Sequence, residues 1–380
     1  MTSTEELRAW VSEACPEEIR GRNLEFNGGR KRPITNPGFQ RWFDACVERG
    51  FTVPEWPERY GGAGLDKAGA RALGDALQAL RAPVPLTGGG PSLIGPTLLE
   101  LGTHEQKARH LPRIARGEVR WCQGYSEPGA GSDLASLQTR AVDHGDYYLV
   151  NGSKIWTSEA NLADWIFCLV RTDPSAPKQA GISFVLFPLD DPGVTIKTID
   201  LINGASHFCQ VFFDDVKVAK SDLIGRENDG WSIAKRLLQH ERSSVGDGQF
   251  LARGGSLPAV LKRYAGDDPA ARENVLRIEM DDAAFHLTRS RAAEENREGG
   301  IATFATSTFK YLSTELESRR LEATISMMGT QGLGWTGNGF DREELNSTRT
   351  WLMSKGFLIA GGSSEIQLNI VAKRVLGLPD

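Results

Sequence analysis

The segment WSIAKRLLQHERSSVG, residues 231–246, carries a carboxylate where the sequence predicts an apolar helix face. At about 100° per residue, one stripe of such a helix collects the apolar side chains of Trp231, Ala234, Leu238 and Val245. Glu241 falls inside that stripe, and Arg242 lies at its border. Carboxylates are rarely buried without a partner or a task, because desolvation favours their neutral form. Glu241 is therefore a candidate proton acceptor, and a structural ion pair with Arg242 is the alternative.

The stretch YSEPGAGSDLASLQTRA, residues 125–141, is a loop of small residues that leaves one strand and enters another. Such a loop lets backbone N–H groups and the hydroxyls of Ser126 and Ser132 approach a bound ligand closely. A tight connection between domains would have the same composition, so the residues alone leave both interpretations open.

The stretch NGSKIWTS, residues 151–158, combines a turn, a short strand and an aromatic side chain followed by two hydroxyl residues. Trp156 could stack on a flat ligand while Thr157 and Ser158 satisfy the polar edge of that ligand. A tryptophan packed in the protein core is the alternative.

The stretch GGSSEIQLNIVAKRVLGLP, residues 361–379, opens the last predicted helix. Ser364 and Gln367 fit the S-x-x-Q capping box, in which side chains bond the free N–H groups of the first turn. The box does not account for Gly361 and Gly362, which indicate a positive φ or a close backbone approach, with loop flexibility as the alternative.

Several kinds of chemistry are absent from the sequence. No GxGxxG follows a strand and no GxxxxGK[ST] occurs, so the glycines of TGGGPSLIGP, residues 87–96, are interpreted as a loop between helices. Five cysteines without a CxxC pair and six scattered histidines argue against a disulfide framework or a metal site. With 49 acidic against 44 basic residues and no basic run, nucleic acid and anionic membranes are not expected partners.

Targeting signals are also missing from the sequence. The opening MTSTEELRAWVSEACPEE lacks the basic start and apolar run of a secretory signal, and no apolar run approaches about 20 residues. Unpaired cysteines fit a reducing compartment. The sequence therefore predicts a cytoplasmic protein that spans no membrane.

The elements that position these residues change character twice along the 380-residue chain, which exceeds one typical core. Residues 1–120 show the helical spacing of an N-terminal α-helical domain, and residues 121–228 show the short Val-, Ile- and Phe-rich runs of a β-barrel or sandwich domain. Residues 229–380 return to helical spacing, with helices expected at about 231–245, 271–297, 302–328 and after Ser364. This last part is predicted to form a C-terminal α-helical bundle.

Taken together, these motifs resemble those of the acyl-CoA dehydrogenases nearly from end to end. The likeness is carried by ERYGGAGL (58–65), YSEPGAGSDLASLQTRA, NGSKIWTS, DDVKV followed by LIGRENDGW, GTQGLG (329–334) and GGSSEIQLNIVAKRVLGLP. The resemblance implies the fold of that family, an α domain, a β domain and an α bundle in order, which the periodicity also predicts.

The resemblance implies a non-covalent FAD that lies between the β domain and the C-terminal bundle, against a CoA thioester. A carboxylate would remove the α proton of the thioester while the β hydrogen leaves as hydride to the flavin, which gives a trans-2-enoyl-CoA. An electron-transfer flavoprotein would then reoxidise the flavin.

The matching motifs imply a role for each site residue. Flavin contacts would come from Tyr125, Ser126, Trp156, Thr157 and Ser158. Ser132 would meet the pantetheine, and Arg242 would lie beside the CoA site. Contacts with the partner subunit's FAD and its adenosine would come from Gly329, Gly332, Ser363 and Glu365.

The chain departs from many family members at the catalytic base. Their glutamate stands in a Tyr-Glu-Gly-Thr pattern whose position, aligned on Ile366 and Gln367, is Gly361 in this sequence. The isovaleryl- and long-chain-type enzymes instead carry the base directly before an arginine, on the helix that opens the C-terminal domain. The resemblance therefore implies Glu241 as the base, with the Gly361 N–H and a ribityl hydroxyl of FAD polarising the thioester carbonyl.

A second departure concerns subunit assembly. Typical members carry an Arg-x-x-Phe-Gly motif whose arginine meets the neighbouring subunit's FAD, and LKRYAGDDPAARENVLRIEM, residues 261–280, lacks it. Related bacterial enzymes that act on CoA esters of steroid side chains pair unlike subunits. The resemblance thus implies a homotetramer or a heterotetramer with an unlike homologous subunit, and a bulky acyl substrate. A non-catalytic half-site subunit and a flavin oxygenase or oxidase on the same fold are the alternatives.

Overall fold

The computed structural model describes residues 4–246, 256–297 and 303–379, and the side chains at 239–246, 293, 296–297 and 303–307 fall outside that description. The chain divides into two units, Met1–Ile199 with His207–Glu241 and Asp200–Ser206 with Arg242–Asp380. The predicted domain limits after residues 120 and 228 stay predictions.

Three of the N-terminal helices begin at side-chain caps that the sequence encodes. Asn36, Asp66 and Thr103 each accept a backbone N–H of the first turn, and Gln106 completes a capping box with Thr103. The N-terminal helices are α1 (Thr4–Ala14), α2 (Pro37–Glu48), α3 (Lys67–Ala79), α4 (Gly95–Leu101) and α5 (His104–Ala115). The first three of these helices share a core around Trp42, whereas the buried side chains of the last two belong to a different core.

The interpretation of residues 87–96 as a loop is wrong for most of its length. Gly90–Ile94 forms a π-helical turn that continues directly into α4. Each of these elements has a proline within its first two positions. Proline is tolerated there because its missing N–H would have no partner in the first turn of a helix.

The predicted β domain is confirmed, because residues 121–224 contain one eight-stranded sheet. Its strand order is β6-β7-β3-β2-β4-β5-β8, and β1 pairs with β4 in parallel. The strands are β1 (Trp121–Gly124), β2 (Arg140–Asp143), β3 (Tyr147–Ser158), β4 (Trp165–Arg171), β5 (Ile182–Pro188), β6 (Val194–Ile199), β7 (Phe208–Ala219) and β8 (Leu223–Ile224).

Strands β4 and β5 are buried on both faces, which explains their nearly continuous apolar sequence. On β4, Phe167 and Leu169 join one core, while Cys168 and Val170 join another. The first core also contains residues of α4, α5 and a further helix, α6 (Gly230–Gly246). The second core contains residues of β3 and β7. Strands β4 and β5 therefore separate a helical layer from the rest of the sheet.

The second unit is helical, as predicted for the C-terminal part. Its small core consists of Leu257, Val275, Ile278 and Ala323. The helices are α7 (Leu257–Val260), α8 (Pro269–Arg297), α9 (Thr303–Met328), α10 (Arg342–Phe357) and α11 (Ser364–Ile370), the last followed by the π-helical turn Val371–Val375. In the part of the chain that the structure describes, no helix is long and apolar enough to cross a membrane.

Candidate active site

Strand β3 presents an exposed indole through a bulge. Lys154 pairs with Val211 of β7 and Thr157 with Cys209, so β3 contains one extra residue between these pairs. Trp156 lies in this bulge with a φ of 60°, a left-handed conformation that is uncommon for a non-glycine residue. Its side chain is 54% exposed, so the alternative of a core tryptophan is wrong.

The two hydroxyl residues after Trp156 have different surroundings. Thr157 is buried, and its Oγ1 has no hydrogen-bond partner among the described residues. Ser158 is exposed, as Trp156 is. Ser158 therefore shares the accessible surface with the indole, while the predicted flavin contact of Thr157 stays a prediction.

The loop that follows β1 runs beside this bulge. The Ser126 carbonyl accepts the Ile155 N–H at 2.8 Å, which places the loop against β3 one residue before Trp156. Tyr125 is buried, with its ring edge-on to that of Phe167 at 6.2 Å between centroids. Ser132 is exposed further along the loop. The structure thus brings Tyr125 and Ser126 to the strand that carries the indole.

A buried ion pair that the sequence analysis missed joins this loop to β3. The Lys154 ammonium, which is 0% exposed, donates to the Tyr125 carbonyl at 3.1 Å and to Glu127 Oε1 at 2.7 Å. The Glu127 carboxylate also accepts the backbone N–H groups of Gln138 at 2.6 Å and Thr139 at 2.9 Å. Burial alone would raise the pKa of Glu127, but Lys154 and these donors lower it below its ordinary value.

Helix α6 carries the candidate base. Ile233, Ala234 and Leu237 are buried on it, and Trp231 and Leu238 are partly buried against the same core. The predicted apolar face is therefore confirmed over the first half of the helix, although its centre is formed by Ile233 and Leu237.

The backbone of α6 includes Glu241 and Arg242, but their side chains and that of Val245 lie outside the described residues. The roles of Glu241 as base and of Arg242 beside CoA therefore stay predictions. What the structure adds is the orientation of the preceding two turns, whose apolar side chains join the core that also contains residues of β4 and β5.

In the second unit, the loop before α11 has the positive φ that its glycines predict. The φ angles are 67° at Gly361 and 96° at Gly362. The Gln367 amide donates to the Gly361 carbonyl at 3.0 Å, which closes the loop over the first turn of α11.

The capping box predicted at Ser364 is wrong by one residue. Ser363 is the N-cap, and its hydroxyl accepts the Ile366 N–H at 3.5 Å. Ser364 is the first helical residue, and its hydroxyl donates to Glu315 at 3.0 Å. The cap requires an extended ψ, which Ser363 has at 163° directly after the turn at Gly362.

Lys310 of α9 lies beside this loop and was also missed from the sequence. Its ammonium donates to the Leu358 carbonyl at 3.2 Å, and its Cε lies 4.0 Å from where a Cβ on Gly361 would stand. Burial lowers the pKa of Lys310, while the carboxylates of Glu315 and Glu365 oppose that shift. The Lys310 side chain thus stands next to Gly361, the residue at which the sequence analysis expected the usual glutamate to be replaced.

The residues predicted to contact adenosine or the partner's cofactor all lie in the second unit. Glu365 is exposed in the first turn of α11, and the Ser363 hydroxyl holds the pKa of that carboxylate below its ordinary value. Gly329 and Gly332 lie in the 3-10 turn Gly329–Leu333, where the Gly332 carbonyl accepts the Thr348 hydroxyl at 3.0 Å. Their cofactor contacts stay predictions.

Among the residues that the structure describes, no group of three or more His, Cys, Asp or Glu side chains could hold a metal ion. All five cysteines of the sequence are free and buried.

Family models match three consecutive parts of the chain. The acyl-CoA dehydrogenase N-terminal domain matches residues 2–118, the middle domain residues 122–216, and the C-terminal domain residues 228–376. The order of these models follows the order of helical, β and helical elements in the structure.

Individual relatives agree with the family models. Acyl-CoA dehydrogenase IpdE1 of Mycobacterium tuberculosis (strain ATCC 25618 / H37Rv) is 36% identical over 391 aligned residues, which cover 100% of this chain and 99% of that protein. The solved structure of the Tcur3481-Tcur3483 steroid ACAD has a TM-score of 0.78 and 28% identity, covering 99% of this chain and 96% of that one. The ChsE4-ChsE5 complex from Mycobacterium tuberculosis has a TM-score of 0.72 and 27% identity, covering 99% and 97%.

Proposed function

The chain belongs to the acyl-CoA dehydrogenase family, and we propose that it oxidises a bulky acyl-CoA thioester to the trans-2-enoyl-CoA with bound FAD. The observation that carries this proposal is the exposed indole of Trp156, which a left-handed bulge of β3 holds beside Ser126 and Ser158. Such a backbone conformation costs about 1–3 kcal/mol and persists mainly where it serves a function.

The residues at this surface fit a flavin. The indole offers an apolar face for a flat ring system, while the hydroxyls of Ser126 and Ser158 offer partners for a polar edge. When bound, FAD would supply the acceptor for the β hydrogen of the thioester. Flavin binding is assigned to Tyr125, Ser126, Trp156, Thr157 and Ser158.

Glu241 is the proposed general base. Its carboxylate would take the α proton of the thioester, leaving the electron pair of that C–H bond on the α carbon as the β hydrogen departs. The buried side chains of Ile233, Ala234 and Leu237 support this role because they fix the helix that carries Glu241. Arg242 would lie beside the CoA moiety.

The backbone N–H of Gly361 is proposed to polarise the thioester carbonyl, a role that requires no side chain. The nearest atom to a Cβ on Gly361 would be Lys310 Cε at 4.0 Å, so the missing side chain leaves space for a bulky acyl group. Ser132 is assigned to the pantetheine of the substrate.

The remaining assignments concern the cofactor's far end and the assembly. Adenosine and the partner subunit's FAD are assigned to Gly329, Gly332, Ser363 and Glu365. The Tcur3481-Tcur3483 and ChsE4-ChsE5 structures each bear the names of two different chains, which supports a tetramer with an unlike homologous subunit over a homotetramer. One of those structures is described as a steroid ACAD, which supports a steroid side chain as the acyl group.

Reoxidation by an electron-transfer flavoprotein in the cytoplasm completes the proposal. The unpaired, buried thiols fit a reducing compartment.

A half-site subunit is the second candidate. Its support is the missing Arg-x-x-Phe-Gly motif in residues 261–280, where the chain forms the π-helical turn Leu261–Ala265 and then enters α8. Such a chain would bind FAD only together with an unlike homologue that supplies the arginine.

The deciding experiment is to purify the chain alone and with unlike homologues, measure FAD per subunit, and follow anaerobic bleaching of the flavin by a panel of acyl-CoAs. We expect bleaching by thioesters of steroid side chains and little by short straight chains. A chain that acquires FAD only with an unlike homologue would indicate the half-site subunit. FAD-loaded protein that no acyl-CoA bleaches would overturn the proposed function.

A further inference from the structure

The bulge at Trp156 is built by the neighbouring loop as much as by its own strand. Ile155 and Trp156 have no paired residue on β7, and the Ile155 N–H instead reaches the Ser126 carbonyl at 2.8 Å. The preceding residue, Lys154, sends its ammonium to Tyr125 and Glu127 of the same loop. Three consecutive loop residues therefore hold two consecutive strand residues.

Glu127 is the centre of this arrangement. Its carboxylate binds Lys154 on β3 and, at the far end of the loop, the backbone N–H groups of Gln138 and Thr139. The Thr139 hydroxyl in turn donates to the Ser153 carbonyl at 3.3 Å. Both ends of the loop are thus tied to the strand segment that precedes Trp156.

We infer that the Lys154–Glu127 ion pair is a positioning device: it fixes the β3 bulge and thereby holds the Trp156 indole in the outward conformation that receives FAD. The identity of the ligand rests on the proposed function. The effect on the indole does not, because the contacts that produce it belong to the chain alone.

Replacing the ion pair distinguishes a positioning role from a role in stability alone. Removing one partner of a buried pair leaves an uncompensated charge and is strongly destabilising, whereas replacing both partners with neutral groups of similar shape is often close to neutral. Stability should therefore recover in a doubly neutral variant. Positioning should not recover, because a methionine at residue 154 cannot donate to the Tyr125 carbonyl or to residue 127.

The test compares Lys154→Met, Glu127→Gln and the double variant with the wild type. A control pair, Arg109→Met with Asp222→Asn, removes another ion pair of the same unit that contacts neither the loop nor β3. In each apoprotein, the accessibility of the indole is measured by acrylamide quenching of fluorescence, with Trp156→Phe in the same background subtracted. Unfolding free energy and the Kd for FAD are measured alongside.

We expect the double variant to regain stability lost by the single variants. Its Trp156 quenching should still differ from the wild type, and its Kd for FAD should rise about tenfold or more, which corresponds to about 1.4 kcal/mol. The Arg109/Asp222 control should keep the wild-type Trp156 quenching and the wild-type Kd for FAD.

A double variant with wild-type quenching and wild-type Kd would overturn the inference, and so would equal effects in the control pair. If the wild type itself failed to bind FAD, the proposed function would fail instead. The quenching comparison would still decide whether the ion pair positions Trp156.

Discussion

The backbone N–H of Asn228 donates to the hydroxyl of Ser183 at 2.8 Å, which ties the start of α6 to strand β5. The Thr172 hydroxyl adds a bond of 2.6 Å to the Asn228 side-chain oxygen. At Gly230, the first residue of α6, a Cβ atom would come within 2.5 Å of the Ser183 carbonyl carbon. The register of the helix that carries Glu241 is thus set by contacts with the sheet.

Gly230→Ala should therefore displace the start of α6. The added methyl group meets backbone atoms, so we expect a loss of about 1–3 kcal/mol in unfolding free energy and slower flavin bleaching. The matched control is Gly74→Ala inside α3, where a Cβ would meet nothing within 4 Å. That change should stabilise the protein by about 0.5–1 kcal/mol in urea unfolding, because alanine favours helix more than glycine does. Equal stability changes in the two variants would contradict the role assigned to Gly230.

Glu241→Gln should bind FAD normally yet lose acyl-CoA-dependent bleaching by at least about a hundredfold, since a carboxamide cannot accept the α proton. The measurement is anaerobic stopped-flow absorbance of the flavin. Glu100→Gln serves as control, because Glu100 bonds Arg236 of α6 without carrying the proposed chemistry. Near-normal reduction of Glu241→Gln would reject Glu241 as the base.

Gly361→Ala should lower stability while sparing the chemistry. A φ of 67° costs an alanine about 1–2 kcal/mol, but the variant keeps its backbone N–H. We expect thermal unfolding at a lower temperature and a bleaching rate within a few-fold of the wild type with the acyl-CoAs that reduce the wild type. Gly356→Ala, at a helical site in α10 with open space around it, should not destabilise the protein. Complete loss of bleaching in Gly361→Ala, with FAD retained, would count against the backbone role.

His110 should make stability fall in mild acid. Burial, with Arg109 and Arg113 nearby, lowers its pKa to about 3, against about 6.5 in an unfolded chain. Between these values the unfolded state binds a proton that the folded state does not. The contribution of His110 to the unfolding free energy is therefore complete above about pH 6.5. Below that pH it declines by up to about 1.4 kcal/mol per pH unit.

His110→Phe, which keeps a ring against Trp121 and Trp165, should flatten this dependence in urea unfolding at pH 7, 6 and 5. His104→Gln, at an exposed position in the first turn of the same helix, should leave the dependence unchanged. Parallel pH curves for the wild type and His110→Phe would show that another group is responsible.

The α8 surface should mediate subunit assembly with a homologous chain. Leu276, Met280 and Leu287 are exposed and share one stripe of the helix. Met280→Glu with Leu287→Glu should therefore reduce the oligomer mass in sedimentation, while Thr288→Glu, off the stripe, should not. An unchanged mass in the double variant would place the interface elsewhere.

The sequence predicted the sheet well because β4, β5 and β7 carry their own pattern of apolar residues, and pattern is a local property. It missed α10, although Asp341 and Glu344 form a capping box at its start that could have been recognised. It identified the Trp156 stretch by residue type, but the left-handed φ of Trp156 depends on a loop some thirty residues earlier in the chain.

Lys154 could not be identified from the sequence for a related reason. A lysine beside a tryptophan in a strand is ordinarily a solvated residue, and its partner Glu127 is separated from it by 27 positions. Only the folded loop brings the two charges together and closes them off from water.

The buried cysteines can serve as built-in probes of local opening. Burial raises the pKa of Cys15 and Cys46 in the core of the N-terminal helices, and that of Cys122 and Cys168 in the sheet, the last to about 12. Since the thiolate is the reactive form, an alkylating reagent reaches these sulfurs only when the surrounding core opens. The labelling rate of Cys15 and Cys46, compared with that of Cys122 and Cys168, would therefore report how often the core of the N-terminal helices opens independently of the sheet. No probe would have to be added to the protein.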